Sequence, residues 1–193
     1  MANFDNAYNI TLGHEGGYVN NPVDKGKETY KGISRKYHPN WPGWVIIDAA
    51  KSMPTFPKAL YTNPVLDKLT KDFYKDTFWD TFQGDLIPSQ VIANELFDTG
   101  VNMGQDDAVR FLQRSLNALN RRGKLYPNIS VDGKFGNNTL KSLKDCLSLG
   151  DELLLYKMIN TLQGVHYIER TEEDESQEDF TRGWFNRVEF IKN

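Results

Sequence analysis

His14-Glu15-Gly16-Gly17-Tyr18 is the stretch from which the rest of this chain can be read. Ahead of it Phe4, Ala7, Tyr8 and Leu12 recur at the spacing of a short amphipathic helix. Glu15 continues that apolar face at i+3 from Leu12 and i+7 from Tyr8. The Gly-Gly pair then ends the helix, because glycine readily takes the left-handed conformation a helix C-terminus favours. Glu15 is thereby expected at the inner edge of a helix end, against apolar neighbours. Such burial raises a carboxyl pKa, so the group stays protonated near neutral pH and can act as an acid. Asp24 lies nine positions on and Thr29 five beyond it, across a turn rich in Asn20, Asn21, Pro22 and Gly26. The expectation is a two-carboxylate site with a hydroxyl beside it.

Each of these residues also has a plainer reading. Glu15 alone would be a capping carboxylate, Asp24 an acid that satisfies its own turn, and Thr29 a turn hydroxyl. Tyr18 is expected to pack over the turn, with an edge that could also meet a sugar ring.

The 193 residues suffice for one well-cored domain or two small, closely packed ones. An apolar share of 39% and a charged share of 25% are those of an ordinary water-soluble protein. A single cysteine, Cys146, excludes an internal disulfide; Leu143 and Leu147 flank it at helical spacing and mark it as a buried thiol. No apolar run approaches the roughly twenty residues of a membrane span. The start Met-Ala-Asn-Phe-Asp lacks the basic and apolar segments of a secretory signal. A substrate beyond the membrane would then be reached through a holin-type pore, a dedicated route or lysis.

The net charge of −3 is uneven. Residues 169–179 carry seven acids against one arginine, which leaves the remainder positive. That run reads as a solvated edge. Nucleic acid is not an expected partner, since the basic residues are scattered without interleaved aromatics. His14, His38 and His166 lack ligand spacing, so no metal is expected, and no base arrangement supports a nucleophilic Ser or Cys.

The chain reads as mainly helical. Four prolines with Trp41 and Trp44 make 38–57 an irregular surface excursion, its tryptophans pinning the loop or offering a face to sugar. A helix is expected over about 64–82 with Val65, Leu66, Leu69, Phe73 and Phe78 inward. Pro88-Ser89 opens a central helix toward Gly104, in which Asn94, Glu95, Asp98 and Asn102 form a polar stripe beside an apolar face. Asp98 and Asn102 are expected to touch substrate or to support the acid's geometry; the plainer reading is a solvated face. Further helices are expected near 105–120, after Gly136, over about 151–168, and at the end with Phe180, Trp184, Val188 and Ile191 inward.

The motifs together resemble a known family. Glu15-Gly16-Gly17-Tyr18-Val19-Asn20, then Pro22, Asp24, Gly26, Thr29 and Gly32-Ile33-Ser34, resemble the glycoside hydrolase family 108 lysozymes of bacteria and phages, some of which are labelled secretion activators. Lys27 stands where that family usually carries a second glycine. The stretches Leu96-Phe97-Asp98-Thr99-Gly100-Val101-Asn102-Met103-Gly104 and Val131-Asp132-Gly133-Lys134-Phe135-Gly136 resemble its peptidoglycan-binding half.

The resemblance implies a mainly α, lysozyme-like fold, with a catalytic region at 1–88 packed on a peptidoglycan-binding helical region at 89–193. It implies a monomeric muramidase, without cofactor, that acts on peptidoglycan glycan strands at the β-1,4 bond between N-acetylmuramic acid and N-acetylglucosamine. Glu15 would be the general acid. Asp24 would stabilise the cationic transition state or, with Thr29, position the attacking water. Tyr18, Asp98 and Asn102 would contact substrate. The neutral Thr29 suits a route in which water attacks and the anomeric centre inverts, although retention stays open. Two other readings remain: a non-catalytic wall-binding or secretion-accessory protein, and a chitin or chitosan hydrolase.

Overall fold

Apolar residues at three- and four-residue spacing put most of the chain into helices. The structure is a computed structural model, and it describes residues 1–12, 16–21 and 28–188. His14, Glu15, Pro22, Asp24, Gly26, Lys27 and Ile191 lie outside the described residues. In chain order come α1 (Phe4–Leu12), the short strands β1 (Tyr18–Asn20), β2 (Glu28–Tyr30) and β3 (Ile33–Ser34), and α2 (Gly43–Ala50). Then follow α3 (Pro64–Tyr74), α4 (Gln90–Met103), α5 (Gln105–Leu119), α6 (Asn137–Ser148), α7 (Glu152–Glu173) and α8 (Glu178–Phe185). By packing, the chain divides into two units, Tyr8–Thr77 and Met1–Ala7 together with Phe78–Asn193.

In the smaller unit the strands form an antiparallel sheet in the order β1-β2-β3, pairing Tyr18 with Tyr30, Val19 with Thr29 and Asn20 with Glu28. Alternation puts Tyr18, Glu28, Tyr30 and Ile33 on one face and Val19, Thr29 and Ser34 on the other. Tyr30 and Ile33 are buried with Trp41, Trp44, Ile47, Leu60 and Leu66. The sequence shows little of this sheet, because strands of two or three residues are too short for period-2 alternation to register.

The stretch 38–57 contains α2, where an irregular excursion was expected. Pro42 precedes that helix, a position proline tolerates because the N–H there would be unbonded. Trp41 and Trp44 are both buried, and their indole N–H groups donate to Leu69 O at 3.3 Å and His38 O at 2.8 Å. They pin the loop, and their faces meet each other edge-on rather than solvent. The helix expected over 64–82 is broken in three. α3 begins on Asn63, whose side chain accepts from the N–H groups of Val65 and Leu66, both at 3.0 Å. It passes into a π-helical turn at Lys75–Trp79 and a 3₁₀ turn at Asp80–Phe82. Val65 is exposed and Thr70 buried, so the inward stripe differs from the expected one at that end.

In the larger unit α4 packs on α5 and α7, α6 on α5, and α8 on α7. Phe4, Trp79 and Phe97 form an aromatic cluster with ring centroids 5.7–6.2 Å apart. Ser89 caps α4, accepting from Ile92 N at 3.1 Å. Ile92, Leu96, Leu112, Leu116, Leu143, Cys146 and Ile159 are buried. The helix expected over 151–168 runs on to Glu173. In α8 Trp184 stacks on Tyr167 at 5.2 Å, whereas Phe180 is exposed, contrary to the inward position expected of it. Among the described residues the architecture is mainly α, with one small antiparallel sheet.

Candidate active site and wall-binding region

Of Gly16 and Gly17, the second has a steric reason to be glycine. A Cβ on Gly16 would meet nothing, whereas one on Gly17 would overlap the Tyr61 phenol. That phenol oxygen accepts from Tyr18 N at 3.2 Å, and Lys31 N donates to Gly17 O at 3.2 Å. The Gly-Gly-Tyr segment is therefore clamped from both sides through its backbone. Gly17→Ala is expected to lower stability by about 1–3 kcal/mol through overpacking. Tyr61→Ala in the same chain should recover part of that loss, as thermal melts of the single and double variants would reveal. Equal losses with and without Tyr61 would mean the clash is not the cause.

Tyr18 points into a charged network. Its hydroxyl donates to Glu28 Oε1 at 2.8 Å, and its ring meets Phe56 edge-on at 4.8 Å. Glu28 also receives Arg35 Nη1 at 2.9 Å and Lys51 Nζ at 2.6 Å. Arg35 forks onto Asp48 through two bonds of 2.7 and 2.6 Å, Lys51 donates to Asp48 at 2.7 Å, and the guanidinium lies 5.2 Å from the Trp44 ring. Two acids and two bases cancel. β1 and β2, the strands on either side of the segment that carries Asp24, are thus tied together by side chains as well as by the ladder.

Burial pushes the Glu28 carboxyl up, but the hydrogen bonds from Lys51, Arg35 and Tyr18 outweigh it and hold the group below its ordinary range. Asp48 is held well below its range by Arg35 first and Lys51 second. A carboxyl whose folded pKa is depressed contributes stability above its unfolded pKa of about 4, and that contribution fades as pH falls through the folded value. The melting temperature should therefore drop as pH is lowered from about 5 toward about 2, the range over which such carboxylates protonate. Glu28→Gln should begin about 2–4 °C lower at neutral pH, allowing for solvent screening, and should fall less steeply in acid. A variant whose acid slope matches the parent's would remove Glu28 from this account.

The residues expected at the site are placed as follows. Glu15 and Asp24 lie outside the described residues. Thr29 sits in β2 on the face opposite Tyr30, and its hydroxyl makes no hydrogen bond among the described residues. Tyr18 is a strut within the network rather than a free sugar platform. Asp98 pairs with Arg187 at 2.9 Å. Asn102 donates to Asp98 O at 2.7 Å, back onto its own helix. Glu95, read as part of the same polar stripe, is buried and accepts from Thr99, which in turn accepts from Gln163. Among the described residues no group of three or more His, Cys, Asp and Glu side chains is arranged to hold a metal. No described helix is long and apolar enough to cross a membrane.

The second motif, Asp132-Gly133-Lys134-Phe135-Gly136, is held by a feature that sequence reasoning missed. Arg110, Gln113, Asn117 and Asn120 recur at three- and four-residue spacing along α5 and just past its end, a polar stripe beside the apolar one. Asn117 exchanges two bonds with Ile129, at 2.8 and 2.9 Å. Gln113, 1% exposed, accepts from Asp132 N and Gly133 N and donates to Asp132 Oδ1, Lys134 O and Thr139 Oγ1, all within 3.2 Å. Arg110 reaches Val131 O at 2.8 Å and pairs with Asp106. Gly133 has φ +73°, and a Cβ there would overlap the Asp106 carboxylate, so glycine is required twice over. A cavity of about 420 Å³ opens beside this loop, lined by Ser130, Lys134, Asn137 and Asn138 among others.

Comparison with known proteins assigns these two regions. The model of the family Glycosyl hydrolase 108 matches residues 8–104, and that of the Predicted Peptidoglycan domain matches residues 107–189. A search of curated proteins found no match. Among solved structures, that of SagA from Brucella abortus superposes with a TM-score of 0.58 over 96% of this chain and 88% of that one, at 22% identity. At that identity the likeness is one of fold.

Proposed function

The chain belongs to the Glycosyl hydrolase 108 family, and on that premise we propose that it cleaves the β-1,4 bond between N-acetylmuramic acid and N-acetylglucosamine, with Glu15 as general acid. A glycoside hydrolase of lysozyme type, acting on peptidoglycan, follows from the family and from the peptidoglycan-binding region behind it. The observation that carries the finer reading is the clamped Gly16-Gly17-Tyr18 segment. It starts directly after Glu15, and both its backbone and its tyrosine are fixed by neighbours. A general acid works only when its proton is held within hydrogen-bond reach of the leaving oxygen, so a rigid segment beside it is what the chemistry asks for.

Asp24 sits in the connection between two strands whose ends are tied by the Tyr18, Glu28, Arg35 and Lys51 network. In this reading it stabilises the cationic transition state or, with Thr29, positions water. Thr29, as a neutral hydroxyl suited to holding a water, favours the second. That route inverts the anomeric centre and needs carboxyl groups about 6.5–9.5 Å apart. Residues 1–88 carry this chemistry in the proposal, and residues 89–193 hold the glycan strand. Zymography on purified peptidoglycan tests the activity, and mass spectrometry of the released muropeptides tests the bond. Anomeric NMR of the fresh product tests the route, a β product meaning retention. Products from chitin but not from wall would replace the substrate in this reading.

A further inference from the structure

We propose that a groove in the smaller unit, walled by Tyr37 and Phe73 and edged by Asn40 and Asp76, is a subsite for a neutral N-acetylglucosamine unit of the glycan strand. The proposal rests on the peptidoglycan hydrolase reading above and names where one sugar of that strand sits. The groove has a volume of about 580 Å³ and lies wholly within Tyr8–Thr77. It is ample for a single hexosamine with its acetamido group.

Its floor is built rather than incidental. Trp41, 7% exposed, is anchored by its indole bond to Leu69 O, and Phe73 lies edge-on to it at 6.4 Å. His38 meets Phe73 edge-on at 4.7 Å. Above this packed aromatic floor Tyr37 projects outward, 63% exposed. A tyrosine held that far from the core gains little from burial, yet it keeps a flat face of the kind that covers the C–H face of a pyranose. The Lys36 ammonium lies 5.1 Å from the Tyr37 ring centroid, which restrains the ring.

The polar edge points to the same ligand. The side chains of Asn40 and Asp76 and the phenol of Tyr37 have no hydrogen-bond or ion-pair partner among the described residues. Together they offer a carboxylate acceptor, an amide with both donor and acceptor, and a hydroxyl, which is what the hydroxyl and acetamido groups of a sugar require. Asp72, one turn earlier, differs in being paired with Lys68. Asp76 projects from the π-helical turn Lys75–Trp79, a local widening that often occurs where a helix serves a site. The acidic edge also discriminates. A muramic unit, bearing a lactyl carboxylate or an acidic stem peptide, would be repelled by Asp76, whereas an uncharged N-acetylglucosamine would not.

The test is calorimetric titration of the full chain with tri-N-acetylchitotriose, in the parent and in Tyr37→Ala, Tyr37→Phe and Asp76→Asn, with a thermal melt of each. Tyr37→Ala and Asp76→Asn should each weaken binding about tenfold with an unchanged melt, and Tyr37→Phe should stay within about threefold of the parent. Saturation-transfer NMR should place the strongest contact on the ring protons of one sugar. Equal affinities in parent, Tyr37→Ala and Asp76→Asn would overturn the subsite, as would no binding by the parent. Tighter binding of the deacetylated trisaccharide, lost in Asp76→Asn, would also overturn it, since the groove would then be selecting a cation. The hydrolase reading fails separately. If Glu15→Gln leaves wall lysis intact while the Tyr37 and Asp76 effects persist, the acid assignment falls and the subsite stands.

Discussion

Glu15→Gln is expected to lower wall lysis by about 10²–10⁴-fold, the contribution of a positioned general acid, and to leave the melting temperature unchanged. Glutamine keeps the length and one hydrogen-bond acceptor of the side chain. Its amide N–H is far too weak an acid to protonate a departing glycosidic oxygen, so the loss should appear in kcat rather than in wall affinity. The neighbouring clamp makes the comparison clean: Gly17 O, Tyr18 N and the Tyr18 hydroxyl are all held by residues other than Glu15. Sedimentation of the variant with purified wall should therefore match the parent. A Glu15→Gln variant that clears a wall suspension at the parent's rate would end the assignment, and the search for the acid would pass to other carboxylates.

Gln113→Leu is expected to destabilise the protein by about 3–5 kcal/mol, the largest effect on stability anticipated for any side chain discussed above. Leucine fills nearly the same space, so the cost is not a cavity. It leaves the N–H groups of Asp132 and Gly133 without their acceptor and Lys134 O and Thr139 Oγ1 without this donor, while the Asp132 carboxylate keeps the N–H of Lys134. Each buried polar group left unpaired costs about 1–3 kcal/mol, and some of these would recover a bond to water. For a chain of this size the melting temperature should fall by roughly 10 °C. Wall binding should fall with it, because the loop from 129 to 136 is held on α5 by this one side chain and its neighbours Arg110 and Asn117. A loss under about 1 kcal/mol would show that the loop keeps its shape without Gln113.

Much of the helical architecture was legible because helices carry their evidence locally. Ser89 caps the helix that Pro88-Ser89 announces, and the Leu112, Leu116 and Leu143 stripes are buried as their spacing requires. The buried thiol of Cys146 follows from the same periodicity. The failures share a cause. α2 was hidden because Trp41, Pro42 and Gly43 read as loop residues when taken one at a time. Their helix-starting role emerges only when both indoles, of Trp41 and Trp44, find carbonyl partners. The helix over 64–82 read as continuous because no glycine or proline interrupts residues 65–82, so nothing local marks the π-turn.

The family could be read from the chain alone, through the block of residue types and spacings that runs from Glu15 to Thr29. Tyr18 and Gly17 were also visible, but not their work: only the fold brings Tyr61 over Gly17 and Glu28 against the Tyr18 hydroxyl. The Arg110-Gln113-Asn117 stripe was readable as a period yet carried no meaning until a loop lay along it. Tyr37 could not be told from the buried tyrosines by sequence at all. Exposure is a property of what packs around a ring, and distant segments decide it. Local order along the chain sets which helices form and which acids stand close in sequence, while the partners that hold or free each polar group are chosen by tertiary packing.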